Sequence, residues 1–253
     1  MRLIAHRGAS GHAPENTMAA FRLALEMGAS AIELDVHQTR DGELAVMHDW
    51  DLKRTGRNLP KGHPGRRWTR LGRSRVGDMT FKELSAADVG SWFGPAFRGE
   101  RIPRLADVLA LVAGKAELHV ELKKGSGLYP CIEARVVELL RRSNALKWVV
   151  VSSFDHEALR NARLLEPRLR LGYLLGLTTM RRALRETAEL RAESLNISLR
   201  QATPKRVSLA RAQGLRVLVY TVDRPADALR LEGLGVYGVY SNHPELPLKA
   251  ENR

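Results

Sequence analysis

The chain holds a single cysteine, Cys131, in 253 residues, which excludes an internal disulfide and gives no sign of an oxidising compartment. No stretch approaches the roughly 18 consecutive apolar residues that a membrane-spanning helix needs. The opening MRLIAHRGASG reaches a histidine after three apolar residues, short of a secretory signal's apolar core, so a cytoplasmic protein is expected. No low-complexity tract or linker divides the chain and no long repeat appears, which leaves one domain over 1–253. Acids are also scarce: 28 Asp and Glu stand against 41 Lys and Arg, a net charge of +13. Much of that excess lies in 53–75, KRTGRNLPKGHPGRRWTRLGRSR, with nine cations and no acid. Such a run could meet nucleic acid, an anionic membrane or acidic substrates, or be a solvated loop.

What is present is an alternation of short β-like runs with amphipathic segments. Strands are expected at Leu3–His6, Ala31–Asp35, Leu118–Lys123, Trp148–Phe154, Leu169–Leu174, Ser194–Ile197, Val217–Val222 and Tyr237–Ser241. Helix-like stretches such as Thr17–Met27, Ile132–Arg142 and Met180–Leu190 lie between them, with Gly28, Gly214 and Gly233 at expected C-caps. Eight such units in this length match a (β/α)8 TIM barrel. A doubly wound open sheet fits less well, because Gly8-Ala9-Ser10-Gly11 lacks the dinucleotide-binding glycine spacing.

Residues 33–49, ELDVHQTRDGELAVMHD, break the alternation. Only a turn signal separates the two apolar runs, and a parallel crossover needs about a dozen residues, so they must pair antiparallel. With the turn centred on Arg40-Asp41, Val46 would face Asp35 and His48 would face Glu33. The hairpin would then return a histidine to two acids.

The active site of such a barrel lies at the C-terminal strand ends. Period-2 alternation puts Glu33 and Asp35 on one face, and likewise Glu121 and Lys123. Three carboxylates at one dry mouth repel one another. A hard divalent cation removes that cost, and all-oxygen ligation favours Mg²⁺ or Ca²⁺ over Zn²⁺. The alternative is that each acid pairs with a basic neighbour. His6 and His48 come from separate segments to the same acids and suit proton transfer, whereas the other six histidines are read as structural. Arg7 and Lys123 make phosphate the natural anion for this pocket.

The stretches AHRGASGHAPENTMAAF, IELDVHQTRDGELAVMHD, GSWFGPAFRGERIPRL, VELK, VSSFD, VYTVD and GVYSNHP resemble the glycerophosphodiester phosphodiesterase family, in order along nearly the whole chain. The resemblance implies a (β/α)8 barrel with a small insertion after the second strand, about residues 50–100. It implies a divalent metal held by Glu33, Asp35 and Glu121, with His6 and His48 as the acid–base pair. Arg7 would hold phosphate, Glu15 and Asn16 would buttress the substrate site, and Lys123, Phe154 and Tyr220 would line its substrate end. The expected reaction is hydrolysis of a small-molecule glycerophosphodiester to glycerol 3-phosphate and an alcohol. The sequence does not decide which histidine is base; His6 as base and His48 as acid is the working assignment. Tyr220 stands where the family often has Trp, and Ser241-Asn242 where it often has Thr-Asp.

Two other readings use the basic run. One is a lysophospholipase D on the same catalytic set, resting on an anionic membrane. The other is nucleic-acid binding, which no recognised motif supports, so no nucleic acid is expected. No residue within 53–75 is a ligand or proton carrier in the first reading, so the run is expected at the rim, outside the chemistry. The sequence sets no oligomeric state.

Overall fold

The strands alternate apolar outward positions with mixed inward ones, and this closes them into a barrel with helices outside. The structure, a computed structural model, describes residues 1–69, 72–73 and 75–247, leaving aside the side chains at 68, 69, 72 and 73. The elements run β1 (Arg2–Ala5), α1 (Met18–Glu26), β2 (Ala31–Gln38), β3 (Leu44–Val46), β4 (Trp68–Thr69), β5 (Gly72–Arg73), α2 (Phe81–Ser85) and α3 (Leu105–Val112). There follow β6 (Glu117–Leu122), α4 (Ile132–Arg142), β7 (Val149–Ser153), α5 (His156–Leu165), β8 (Arg170–Leu174) and α6 (Met180–Glu189). The last are β9 (Ser194–Ser198), α7 (Pro204–Ala212), β10 (Arg216–Tyr220), α8 (Pro225–Gly233) and β11 (Gly238–Ser241).

Eight parallel strands pair in the order β1-β11-β10-β9-β8-β7-β6-β2, and β2 returns to β1 through Ala5 and Ile32. This is the expected (β/α)8 barrel. Leu34, Val36, Leu118, Val120, Val149 and Val151 point outward into the main core under the helices. Inside, Ile4, Ala31, Leu218 and Tyr240 form a separate small cluster. Gly28 and Gly214 take the left-handed conformation expected of C-caps, with φ of +79° and +75°. Gly233 does not: it is the last residue of α8, and the left-handed position falls at Gly235.

The hairpin forms, but one residue out of the expected register. Val46 faces Val36 and Ala45 faces His37, so Val46 is not opposite Asp35. The turn explains the shift. Thr39 N donates to Glu43 O and Gly42 N to Thr39 O, with Gly42 at φ +84°, which centres the turn on Arg40-Asp41-Gly42. Strand β3 ends at Val46, so His48 has no strand partner on Glu33. Between β3 and α3 the chain builds a second apolar cluster from Leu52, Val76, Met79, Phe81, Leu84 and Ile102, against Ala45 and Met47 of the hairpin.

At the opposite, N-terminal end, Glu117 accepts hydrogen bonds from Arg2 (2.8 Å) and Arg170 (2.7 Å) and lies 3.0 Å from His119 Nε2. Burial pushes the Glu117 carboxyl up, but His119 and Arg170 outweigh it and bring it down to about 2. A depressed acid stabilises the fold above its unfolded value and loses that contribution as pH falls through its folded value. The urea midpoint of Glu117→Gln should therefore lie below wild type at neutral pH, the gap shrinking as pH falls from about 4.5 toward 2. A gap that stays constant over that range would contradict a contribution from the Glu117 charge.

Candidate active site

The end of β1 sets the site's geometry. Arg7 and Gly8 both have positive φ, +58° and +80°, which turns the chain sharply as it leaves the strand. A Cβ on Gly8 would lie 2.7 Å from the Ala20 carbonyl carbon in α1, so only glycine lets the turn pass. The turn brings the Arg7 backbone N–H to 2.9 Å from Glu33 Oε2. In the parallel β2–β6 ladder Asp35 lies beside Glu121. One carboxylate oxygen each from Glu33, Asp35 and Glu121 falls within 4.8 Å of the others.

The charges do not balance on their own. Burial and the Asp35 charge push the Glu33 carboxyl well above its usual range, and the same two causes raise Glu121. Burial also acts upward on Asp35, but Lys123 and Arg7 outweigh it and hold this acid ionised. Lys123 Nζ sits between two of the acids, 2.7 Å from Glu121 Oε1 and 3.2 Å from Asp35 Oδ1. Both sequence alternatives are thus partly met: a basic neighbour is present, yet two of three carboxylates remain destabilised as anions. A divalent cation would relieve that repulsion, so the donor set fits one.

Both histidines line one cleft of about 250 Å³, together with Arg7, Glu33, Glu121 and Lys123. His6 Nδ1 lies 2.8 Å from Asn242 Oδ1. Burial and the Arg7 charge bring His6 down to about 4, so its ring is neutral near pH 7. His48 Nδ1 donates instead to the carboxylate of Asp49 at 2.7 Å. Its main chain is held from below by His37, whose Nε2 donates to His48 O (3.0 Å) and whose Nδ1 accepts from Tyr129 Oη (2.7 Å). At the mouth, Phe154 and Tyr220 meet edge to face with centroids 6.1 Å apart.

Glu15 and Asn16 stand behind the cleft and do not line it. Asn16 Nδ2 donates to Asp35 Oδ2 (2.9 Å), and Glu15 accepts from Arg7 (3.0 Å). The basic run differs from expectation. Arg54 lies within it, yet its Nε donates to Asp49 (2.7 Å) and its Nη1 and Nη2 donate to Glu15 (2.8 and 2.6 Å). One cation of the run therefore connects the partner of His48 to the partner of Arg7. Arg70 and the side chains of Trp68 and Arg73 lie outside the described residues.

Sequence reasoning missed His37, Asp49, Arg54 and Asn242. His37 follows Asp35 by two and shares its inward face, and Asp49 adjoins His48, so both carried a local signal. Arg54 and Asn242 reach the site through long-range contacts that no local pattern encodes. A second potential ligand group among the described residues, His12, His243 and Glu245, is largely exposed. No helix among the described residues is long and apolar enough to cross a membrane.

The family model described as "Glycerophosphoryl diester phosphodiesterase family" matches residues 6–246. A glycerophosphodiester phosphodiesterase of Caldanaerobacter subterraneus is 38% identical over 247 residues, 96% of this chain and 94% of that protein. Among solved structures, a glycerophosphodiester phosphodiesterase of Agrobacterium tumefaciens superposes with a TM-score of 0.79 at 30% identity, covering 97% of this chain and 98% of that one. An Oleispira antarctica phosphodiesterase, solved with the product sn-glycerol-3-phosphate, gives 0.82 at 30% identity over 96% and 94%. With the barrel, the acidic mouth and the two facing histidines in place, the chain belongs to the glycerophosphoryl diester phosphodiesterase family.

Proposed function

We propose that the chain is a divalent-metal-dependent hydrolase that cleaves glycerophosphodiesters to sn-glycerol 3-phosphate and an alcohol. The observation that carries this is two histidines lining one cleft with Arg7, Glu33 and Glu121, whose carboxylates converge with that of the buried Asp35. The product bound to the Oleispira relative supports the same substrate class here.

Glu33, Asp35 and Glu121 would hold the metal, and their oxygen-only set suits Mg²⁺ or Ca²⁺. When bound, it supplies positive charge against the negative charge that grows on the phosphoryl oxygens. Arg7 holds phosphate oxygen, being fixed by Glu15 on one side. His6, neutral, accepts the proton of the nucleophile as its oxygen bonds to phosphorus. The nucleophile is water, or the substrate's own 2-hydroxyl, in which case water then opens the resulting cyclic phosphate to glycerol 3-phosphate. His48, backed by the Asp49 carboxylate, donates a proton to the alcohol oxygen as the P–O bond breaks. The unequal Nδ1 partners favour this division: a neutral amide suits a base, and a carboxylate suits a group that must carry positive charge. Phe154 and Tyr220 face the departing alcohol.

Excess chelator should abolish turnover of glycerophosphocholine and added Mg²⁺ or Ca²⁺ should restore it, while Glu33→Gln, Asp35→Asn and Glu121→Gln each weaken cation binding by calorimetry. Full turnover in chelator would contradict the proposal. Alanine at His6 or His48 should lower kcat by roughly 10²–10⁴ with the fold intact by circular dichroism. The double variant should lose less than the product of the two, since both act in one proton-transfer sequence. Arg54→Ala should lower kcat by roughly 10–100-fold, the usual loss when a group orienting a functional histidine is removed. Lys61→Ala, at another exposed cation of the same run, should leave kcat unchanged. Equal effects of the two would show that Arg54 acts only as one more surface charge.

A further inference from the structure

Asn242 is bound on both sides of its amide, and this determines what its partner His6 can do. Its Nδ2 lies 2.7 Å from Asp223 Oδ2, and its backbone N–H donates to Asp223 Oδ1 at 2.8 Å. Ser241 Oγ donates to the same Oδ1 at 3.0 Å. An ionised carboxylate only accepts, so the amide atom facing Asp223 is the NH₂. The amide oxygen is therefore turned to His6 Nδ1, 2.8 Å away, and to Ser10 Oγ, also 2.8 Å away. An amide oxygen only accepts, so Nδ1 must carry hydrogen. A neutral ring has one such hydrogen, and Nε2 is left with a lone pair.

We propose that Asp223 and Asn242 are positioning residues that hold His6 in its Nδ1–H tautomer, with Nε2 as the proton acceptor in the cleft. This rests on the assignment of His6 as base. The alternative orientation would set NH₂ against His6, demand a lone pair on Nδ1 and move the hydrogen to Nε2, where the ring could accept nothing. The carboxylate of Asp223 excludes it. Ser10 Oγ lies 2.6 Å from His6 O as well, so its one hydrogen is donated either to the β1 turn or to the amide oxygen. The ring and the main chain of His6 are thus held by one connected set of groups from the ends of β1, β10 and β11. His6 and His48 differ in the same feature: a neutral acceptor behind one Nδ1 and an anionic acceptor behind the other.

The test is long-range ¹H–¹⁵N NMR of the histidine rings in the full chain at about pH 7, with the His6 signals identified by their loss in His6→Ala. Wild type should show His6 with a protonated Nδ1 and an unprotonated Nε2. Asn242→Ala should populate the Nε2–H form and lower kcat by roughly 10–100-fold with little change in KM. Asn242→Asp keeps an acceptor toward Nδ1 and should recover the Nδ1–H tautomer, which a purely structural role would not require, while its negative charge favours the protonated ring and should leave kcat below wild type. Asp223→Ala, which frees the amide to rotate, should give a mixture of tautomers and an intermediate kcat. An Asn242→Ala protein with an unchanged His6 spectrum and unchanged kcat would overturn the proposal. If His6→Ala itself keeps full turnover, the base assignment fails, whereas the spectra of the Asn242 variants still decide what sets the tautomer.

Discussion

Three carboxylates share a mouth that water barely reaches, and the surrounding structure is arranged around that repulsion. Asp35 and Glu121 are neighbours in one parallel ladder, and Glu33 lies two residues back on the same face of β2. The barrel's register makes the encounter unavoidable. Lys123 and Arg7 offset part of it, which keeps Asp35 ionised while Glu33 and Glu121 remain raised. Lys123 also bridges Asp35 and Glu121. Under the proposed function, a cation entering among these oxygens would compete with that ammonium and leave Lys123 free to turn toward substrate.

Around this centre, polar contacts extend outward in two branches. One runs from Asp35 through Arg7, Glu15 and Arg54 to Asp49 and His48. The other runs from His6 through Asn242 to Asp223. The first is made of full charges, the second of one neutral amide and one acid. His6 and His48 therefore sit against unlike partners, an amide oxygen for one and a carboxylate for the other.

Much of this was legible in the sequence where the signal was local. Period-2 alternation located Glu33, Asp35 and Glu121, and the short spacing between β2 and His48 required an antiparallel return. The register of that return was not legible, because it depended on Gly42 taking a left-handed conformation and on Thr39 closing onto Glu43. Net charge was a poor guide to Arg54. Nine cations in one run suggested a rim outside the chemistry, while one of them, Arg54, though exposed, joins Glu15 to Asp49. Asn242, close to the chain's end, reaches His6 only because β11 closes the barrel against β1.

A crystal structure of the protein with Ca²⁺ and sn-glycerol 3-phosphate would test the central claim most directly. The account predicts a cation bound by oxygens of Glu33, Asp35 and Glu121, Lys123 drawn off the two acids, and phosphate against Arg7 between the two histidines. A cation absent from these carboxylates under saturating Ca²⁺, with Lys123 still bridging Asp35 and Glu121, would contradict it.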